Sequence, residues 1–173
     1  IICISIVVVI QSLLFADGGL SALGVNLLNM AVVTSLIGWI TISAWKKLFG
    51  ESYSSTISGS FIAGLLSVVF SSIAFVLEYS LGGTVAVPLG SVLIAMVSSH
   101  LLIGIGEGII TALIVSLLLR VRSDLVYVNK NTDKSNKVTS FYGLFILLIL
   151  VLTLITPYAS SSPDGLESVA KSF

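Results

Sequence analysis

From Val85 to Leu119 the chain runs for thirty-five residues with only two ionisable side chains, Glu107 and His100, the latter its sole histidine. So long an apolar stretch has few folds open to it. About 20 such residues cross a ~30 Å hydrocarbon layer, in which a helix satisfies its own backbone polar groups. Glu107 and His100 are seven apart and share one helical face, about two turns from each other. A carboxylate inside a span costs at least ~2.5 kcal/mol, so it is kept from lipid and marks a candidate functional position. His100, Gly104, Gly108, Ala112 and Ser116 recur at i+4, a small-residue stripe of the kind that lets membrane helices approach closely. Gly104, Gly108 and Ala112 are therefore candidate helix-packing positions.

The rest of the chain has the same character. Hydrophobic residues make up 56% and charged residues 9%, against about 25% charged in soluble domains, and mean hydropathy is +1.15. These values predict an all-α, polytopic transmembrane helix bundle. The single cysteine, Cys3, lies in an apolar helix and forms neither an internal disulfide nor a thiolate cage.

Five hydrophobic segments can be drawn: residues 1–15, 23–45, 61–77, 85–119 and 138–156. At about 1.5 Å per residue the first is too short to cross, and the chain starts at Ile1 rather than Met. Lys171-Ser172-Phe173 follows a polar turn and stops without an obvious boundary, so both ends read as cuts within a longer protein. Loops 46–60 and 120–137 hold seven of the eight basic residues, leaving Lys171. The positive-inside rule then places both loops in the cytoplasm, and Asp17, Glu78, Asp164 and Glu167 outside. Trp45 suits the inner interface, Tyr79 and Tyr158 the outer one. With Glu78 to Thr84 outside and Arg120 inside, segment 85–119 crosses once and carries an extra segment. The expected break lies at Pro88, Gly90 or the Gly104, Gly106, Gly108 cluster.

Asn26 and Asn29 open the second span, and Asn26, Met30, Thr34 and Gly38 form an i+4 stripe. Buried amides need partners in lipid, so this stripe should face the bundle interior, as the lining of a substrate path or as interhelical glue. Asp17, before Gly18 and Gly19, suits a tight turn or a substrate-facing carboxylate. Glu107 could be anchored to His100, Thr111 or an asparagine of another span, or could couple to a partner subunit or handle ions. One His, one Cys and two Met do not supply the three or four ligands of a transition-metal cage. No nucleophile elbow, H-E-x-x-H motif or phosphate-cradling loop is present, so the sequence does not read as an enzyme.

Three motifs in order carry a resemblance. Gln11-Ser12-Leu13-Leu14-Phe15-Ala16-Asp17-Gly18-Gly19-Leu20, continued by Leu23-Gly24-Val25-Asn26-Leu27-Leu28-Asn29-Met30, resembles the cobalt/nickel-type substrate-capture membrane component of energy-coupling-factor transporters (CbiM/NikM type). The segment from His100 to Thr111 resembles that family's last-helix motif, followed by Arg-x-Arg-x-Asp-Leu at 120–125. Ala159-Ser160-Ser161-Ser162-Pro163-Asp164-Gly165-Leu166-Glu167 resembles the PDGLE module of the companion CbiN/NikN-type subunit.

The resemblance implies a transmembrane domain over 1–125 lacking its N-terminal part and a cytoplasmic linker over 126–137. Over 138–173 it implies an extra helix and a short extracytoplasmic segment carrying Asp164 and Glu167. It further implies a multi-pass plasma-membrane protein that captures Co2+ or Ni2+ from outside, for cobalamin biosynthesis or nickel enzymes. The partners would be a transmembrane T component and two cytoplasmic ATPases. In that family the metal is held by an N-terminal Met-His and a further upstream histidine. No residue here matches those positions, so the ligands are expected upstream of Ile1, and cobalt and nickel are not distinguished. The alternative is a non-transporting membrane scaffold.

Overall fold

Ile2–Leu14 forms helix α1, Leu23–Phe49 α2 and Tyr53–Gly82 α3, and Leu89–Val121 forms α4. This computed structural model describes residues 1–15, 19–83, 87–122 and 126. Among the described residues every regular element is a helix. The last three helices contain 27, 30 and 33 residues, or about 40, 45 and 50 Å at 1.5 Å per residue. Each is long and apolar enough to cross a membrane, whereas α1, with 13 residues, is shorter. Exposed side chains such as Leu102, Ile94 and Leu113 give these helices apolar outer surfaces suited to lipid.

Local chemistry sets the ends. Helix α2 closes over Lys46 and Lys47, which suit the negative C-terminal end of the dipole. Gly50 then takes φ 77°, which ends the helix and turns the chain. Ser52 opens α3, its hydroxyl accepting from the Ser55 N–H at 3.1 Å. Pro88, which cannot continue a helix upstream of itself, precedes α4.

Helix α3 is the centre of the bundle. It packs along α4 on one flank and along α2 on the other, while α1 rests on the N-terminal part of α2. Many α3 hydroxyls are satisfied within their own helix: Ser60 donates to the Thr56 carbonyl at 2.7 Å and Ser72 to that of Val69 at 2.7 Å. Such back-bonding lets small polar side chains sit in the interior without partners on other helices. Val76, Val92 and Met96 form a small apolar core between α3 and α4.

Several expected boundaries move. The loop expected over 46–60 shrinks to Gly50–Ser52, because α2 continues through Phe49 and α3 begins at Tyr53. Ser52 caps the helix, Thr56, Ser58 and Ser60, polar in sequence, bond back to it, and Ser55 Oγ is buried without a partner. Glu78 lies in α3, not in an outside loop; the helix runs past it and stops only at the Gly82–Gly83 pair. Segment 85–119 forms a single helix from Leu89, with Pro88 at its start. Gly90, Gly104, Gly106 and Gly108 sit inside it without a break, so the described residues of this stretch hold no separate extra segment. Antiparallel α2, α3 and α4 bring Lys46, Lys47, Tyr53 and Arg120 to one end, where Arg120 Nε donates to the Tyr53 hydroxyl at 3.0 Å. Asp17, linker 126–137, the fifth segment with its helix, Asp164 and Glu167 lie outside the described residues, residue 126 apart.

Candidate functional site

Helices α2 and α4 both pack on α3 and hardly touch each other, and an open groove of about 680 Å3 runs between them with α3 as its floor. Its walls are mostly apolar but carry several polar side chains: Thr34 comes from α2, Ser67 and Ser71 from α3, and His100, Glu107 and Thr111 from α4. Met30, Thr34 and Gly38 of the α2 stripe line the groove, but Asn26 does not. The reason is local. Leu27–Val33 is a π-helical segment, whose i→i+5 bonding widens the turn and breaks the i+4 row that an α-helix would keep.

The carboxylate of Glu107 is exposed and has no hydrogen-bond partner among the described residues. Neither His100, Thr111 nor an asparagine bonds to it. At seven residues, His100 stands about 10 Å away along the helix axis. His100 is half-buried, and its Nδ1 lies 2.8 Å from the Met96 carbonyl one turn back. A carbonyl only accepts, so Nδ1 carries the proton in this contact and Nε2 is the ring nitrogen left over.

Below the groove α4 meets α3 at close range. A Cβ on Gly108 would stand 2.7 Å from the Phe61 carbonyl oxygen, and one on Gly104 3.0 Å from that of Leu65. From the opposite side, a Cβ on Gly64 would stand 3.0 Å from Gly108 Cα. Glycine is thus required on both helices by backbone-to-backbone contact. Ala112, next in the stripe, is half-buried.

Asn29 departs from the groove altogether. It is 6% exposed, and its Nδ2 donates to Glu78 Oε2 at 2.8 Å. Its backbone carbonyl accepts from Ser71 Oγ at 3.2 Å. Two side chains of α3, two turns apart, thus hold the π segment of α2. Sequence reasoning missed Glu78 as an interior residue because it took the charge as a helix end. The absence of any breaker between Ser60 and Gly82, other than glycine in an apolar run, was the available signal.

The groove places an acid, an imidazole and a row of hydroxyls along an α2–α4 opening in an otherwise apolar bundle. Among the described residues no three His, Cys, Asp or Glu side chains come together as a metal centre would require. Residues 1–125 match a family model described as the cobalt uptake substrate-specific transmembrane region, CbiM. The chain belongs to the CbiM family.

Relatives of this CbiM-family chain include a protein of Haloquadratum walsbyi described as a metal transport protein, 35% identical over 127 residues. That alignment covers 73% of this chain and 56% of the relative. A protein of Archaeoglobus fulgidus described as a fused nickel transport protein, NikMN, is 34% identical over 125 residues, 72% of this chain and 40% of that protein. The cobalt transport protein CbiM of Geobacter sulfurreducens is 32% identical over 130 residues, 73% of this chain and 36% of its own length. The chain therefore spans roughly half or less of these relatives. No solved structure matches it. The family is a transport component rather than an enzyme family, and three helices able to cross a membrane accord with that.

Proposed function

We propose that this chain is part of the substrate-capture membrane subunit of an ATP-driven energy-coupling-factor importer for a divalent transition metal. Cobalt is the first reading and nickel the second, serving cobalamin biosynthesis or nickel enzymes. The observation that carries this is the CbiM match over residues 1–125, on a bundle whose helices are long and apolar enough to span a membrane. Partner ATPases would supply the energy and a transmembrane T component would relay the capture subunit's movement. The metal ligands are assigned upstream of Ile1. The basic end of the bundle, with Lys46, Lys47 and Arg120, would face the cytoplasm, and Asp164 and Glu167 of the PDGLE segment the outside.

Within this reading the α2–α4 groove is the polar face turned towards the T component, with Glu107 and His100 as its coupling residues. An exposed carboxylate within a span is costly against lipid and is best accommodated by a protein surface or a water-filled path. The test is uptake of radiolabelled Co2+ and Ni2+ by cells carrying the complete gene with its T component and ATPase genes. Uptake that is lost on inactivating the ATPases supports the importer. Assembly with the partners without any uptake would favour the scaffold alternative.

A further inference from the structure

We propose that Glu78 and Asn29 form a part-buried proton-binding site between α2 and α3, in which the Glu78 carboxyl carries a proton on Oε1 and donates it to Asn29 Oδ1. Each of the two groups keeps one oxygen without a partner. Asn29 Nδ2 donates to Glu78 Oε2 at 2.8 Å, but Asn29 Oδ1 and Glu78 Oε1, both shielded from solvent, have no partner. Both orphans are acceptors, and they belong to the same two planar groups that already share one bond. A single hydrogen between them satisfies both at once. The pair then becomes a ring of two hydrogen bonds, amide N–H to carboxyl C=O and carboxyl O–H to amide C=O. Buried polar atoms in native structures are almost always paired, so the missing hydrogen is the economical completion.

No described cation takes that role. The titratable groups on the neighbouring elements are committed elsewhere or distant. On α3, the Tyr79 hydroxyl bonds to Val87, and Tyr53 lies about 37 Å away along the axis. On α2, Lys46 and Lys47 lie about 25 Å along the axis from Asn29, and Leu23 to Trp45 carry no charge. On α4, Met96 packs at the level of Val76; His100 lies one turn further on, with Nδ1 on the Met96 carbonyl, and Glu107 and Arg120 lie beyond it. Helix α1 offers only Cys3. A hard metal cation is a poorer fit, since it takes six or more oxygen ligands where this site has two unpartnered ones.

The proton would act as a clamp. Asn29 lies in the π segment, and with Ser71 bonded to its carbonyl the ring ties that segment to α3 by side chain and backbone together. The site is separate from the groove and does not depend on the transport reading.

Infrared spectroscopy of the full-length protein in neutral buffer tests this directly. A protonated-carboxyl C=O band that downshifts in D2O and disappears in Glu78→Gln is expected; its absence from the wild type overturns the proposal. Asn29→Leu should shift that band to higher frequency as the O–H loses its acceptor, an assignment that stands even if the glutamine variant does not fold. An unshifted band in Asn29→Leu overturns the ring. Thermal melting supplies an independent reading. Gln can donate to Asn29 Oδ1 and accept from Nδ2, so Glu78→Gln should melt with the wild type while Glu78→Ala melts several degrees lower. Equal losses in both variants, or a wild-type midpoint that rises with Na+ but not with choline, would replace the proton by a needed negative charge or a bound alkali cation.

Discussion

The α3–α4 seam and the α2–α4 groove lie side by side and solve the problem of building in lipid in opposite ways. At the seam, Gly64, Gly104 and Gly108 bring two backbones within contact of each other. At the groove, hydroxyls, an imidazole and an unpartnered carboxylate line an opening of about 680 Å3. Lipid tails are as apolar as leucine, so helices in a membrane gain little from hiding apolar side chains and much from close backbone approach. The seam holds the bundle together and leaves the groove free to carry polar groups, of which Ser71 ties α3 to α2 while Glu107 has no partner among the described residues.

Gly108→Leu should damage the seam most. Its first side-chain atom would meet the Phe61 carbonyl at 2.7 Å, backbone that has no cheap way to move. We expect a loss of at least ~1–3 kcal/mol from overpacking and a collapse of the monodisperse detergent-solubilised protein on gel filtration. A wild-type melting curve for this variant would mean that α3 and α4 separate without cost. Gly59→Ala should cost less, about 1 kcal/mol. The obstacle there is a side chain, Trp45 Cδ1 at 2.7 Å, which can swing at the expense of its bond to Ser58. Loss of tryptophan fluorescence intensity or a shifted emission maximum would register that swing. Gly104→Ala, whose Cβ would stand 3.0 Å from Leu65 O, should be milder than Gly108→Leu by melting temperature. The reverse order would place the tightest part of the seam one turn nearer His100.

At the small end stands Glu107→Gln. Exposed and without a partner, this side chain should change the melting midpoint by no more than surface substitutions do, within about 0.5 kcal/mol. Metal uptake by cells carrying the whole transporter should nevertheless fall if the groove is the coupling face. Unchanged uptake would remove Glu107 from that role and leave the groove a packing surface for another helix.

Periodicity and composition made the helices and the small-residue spacing of α4 legible, because the 3.6-residue repeat and the cost of unsatisfied backbone in lipid act on every residue alike. What they hid was pairing between helices. Glu78 looked like the end of a span because a charge usually is one; its interior place rests on Asn29, forty-nine positions away in sequence. The serines around Tyr53 looked like a loop for a similar reason. The hydroxyls of Ser58 and Ser60 are spent on their own helix, which composition alone does not reveal. Asn26 fell off its stripe because the arithmetic assumed one helical period throughout α2.

That change of period gives α2 a tolerance its neighbours lack. The π-helical turns of Leu27–Val33 use more residues than an α-helix would for the same advance. Deleting one residue there, away from Asn29, can be absorbed by tightening the turns to α geometry, with the helix beyond Thr34 left in place. The same deletion in the middle of α4 would rotate everything on one side of it by about 100° and turn the seam's glycines away from Phe61 and Leu65. Length variation in this bundle is therefore expected to be confined to the stretch that hugs α1.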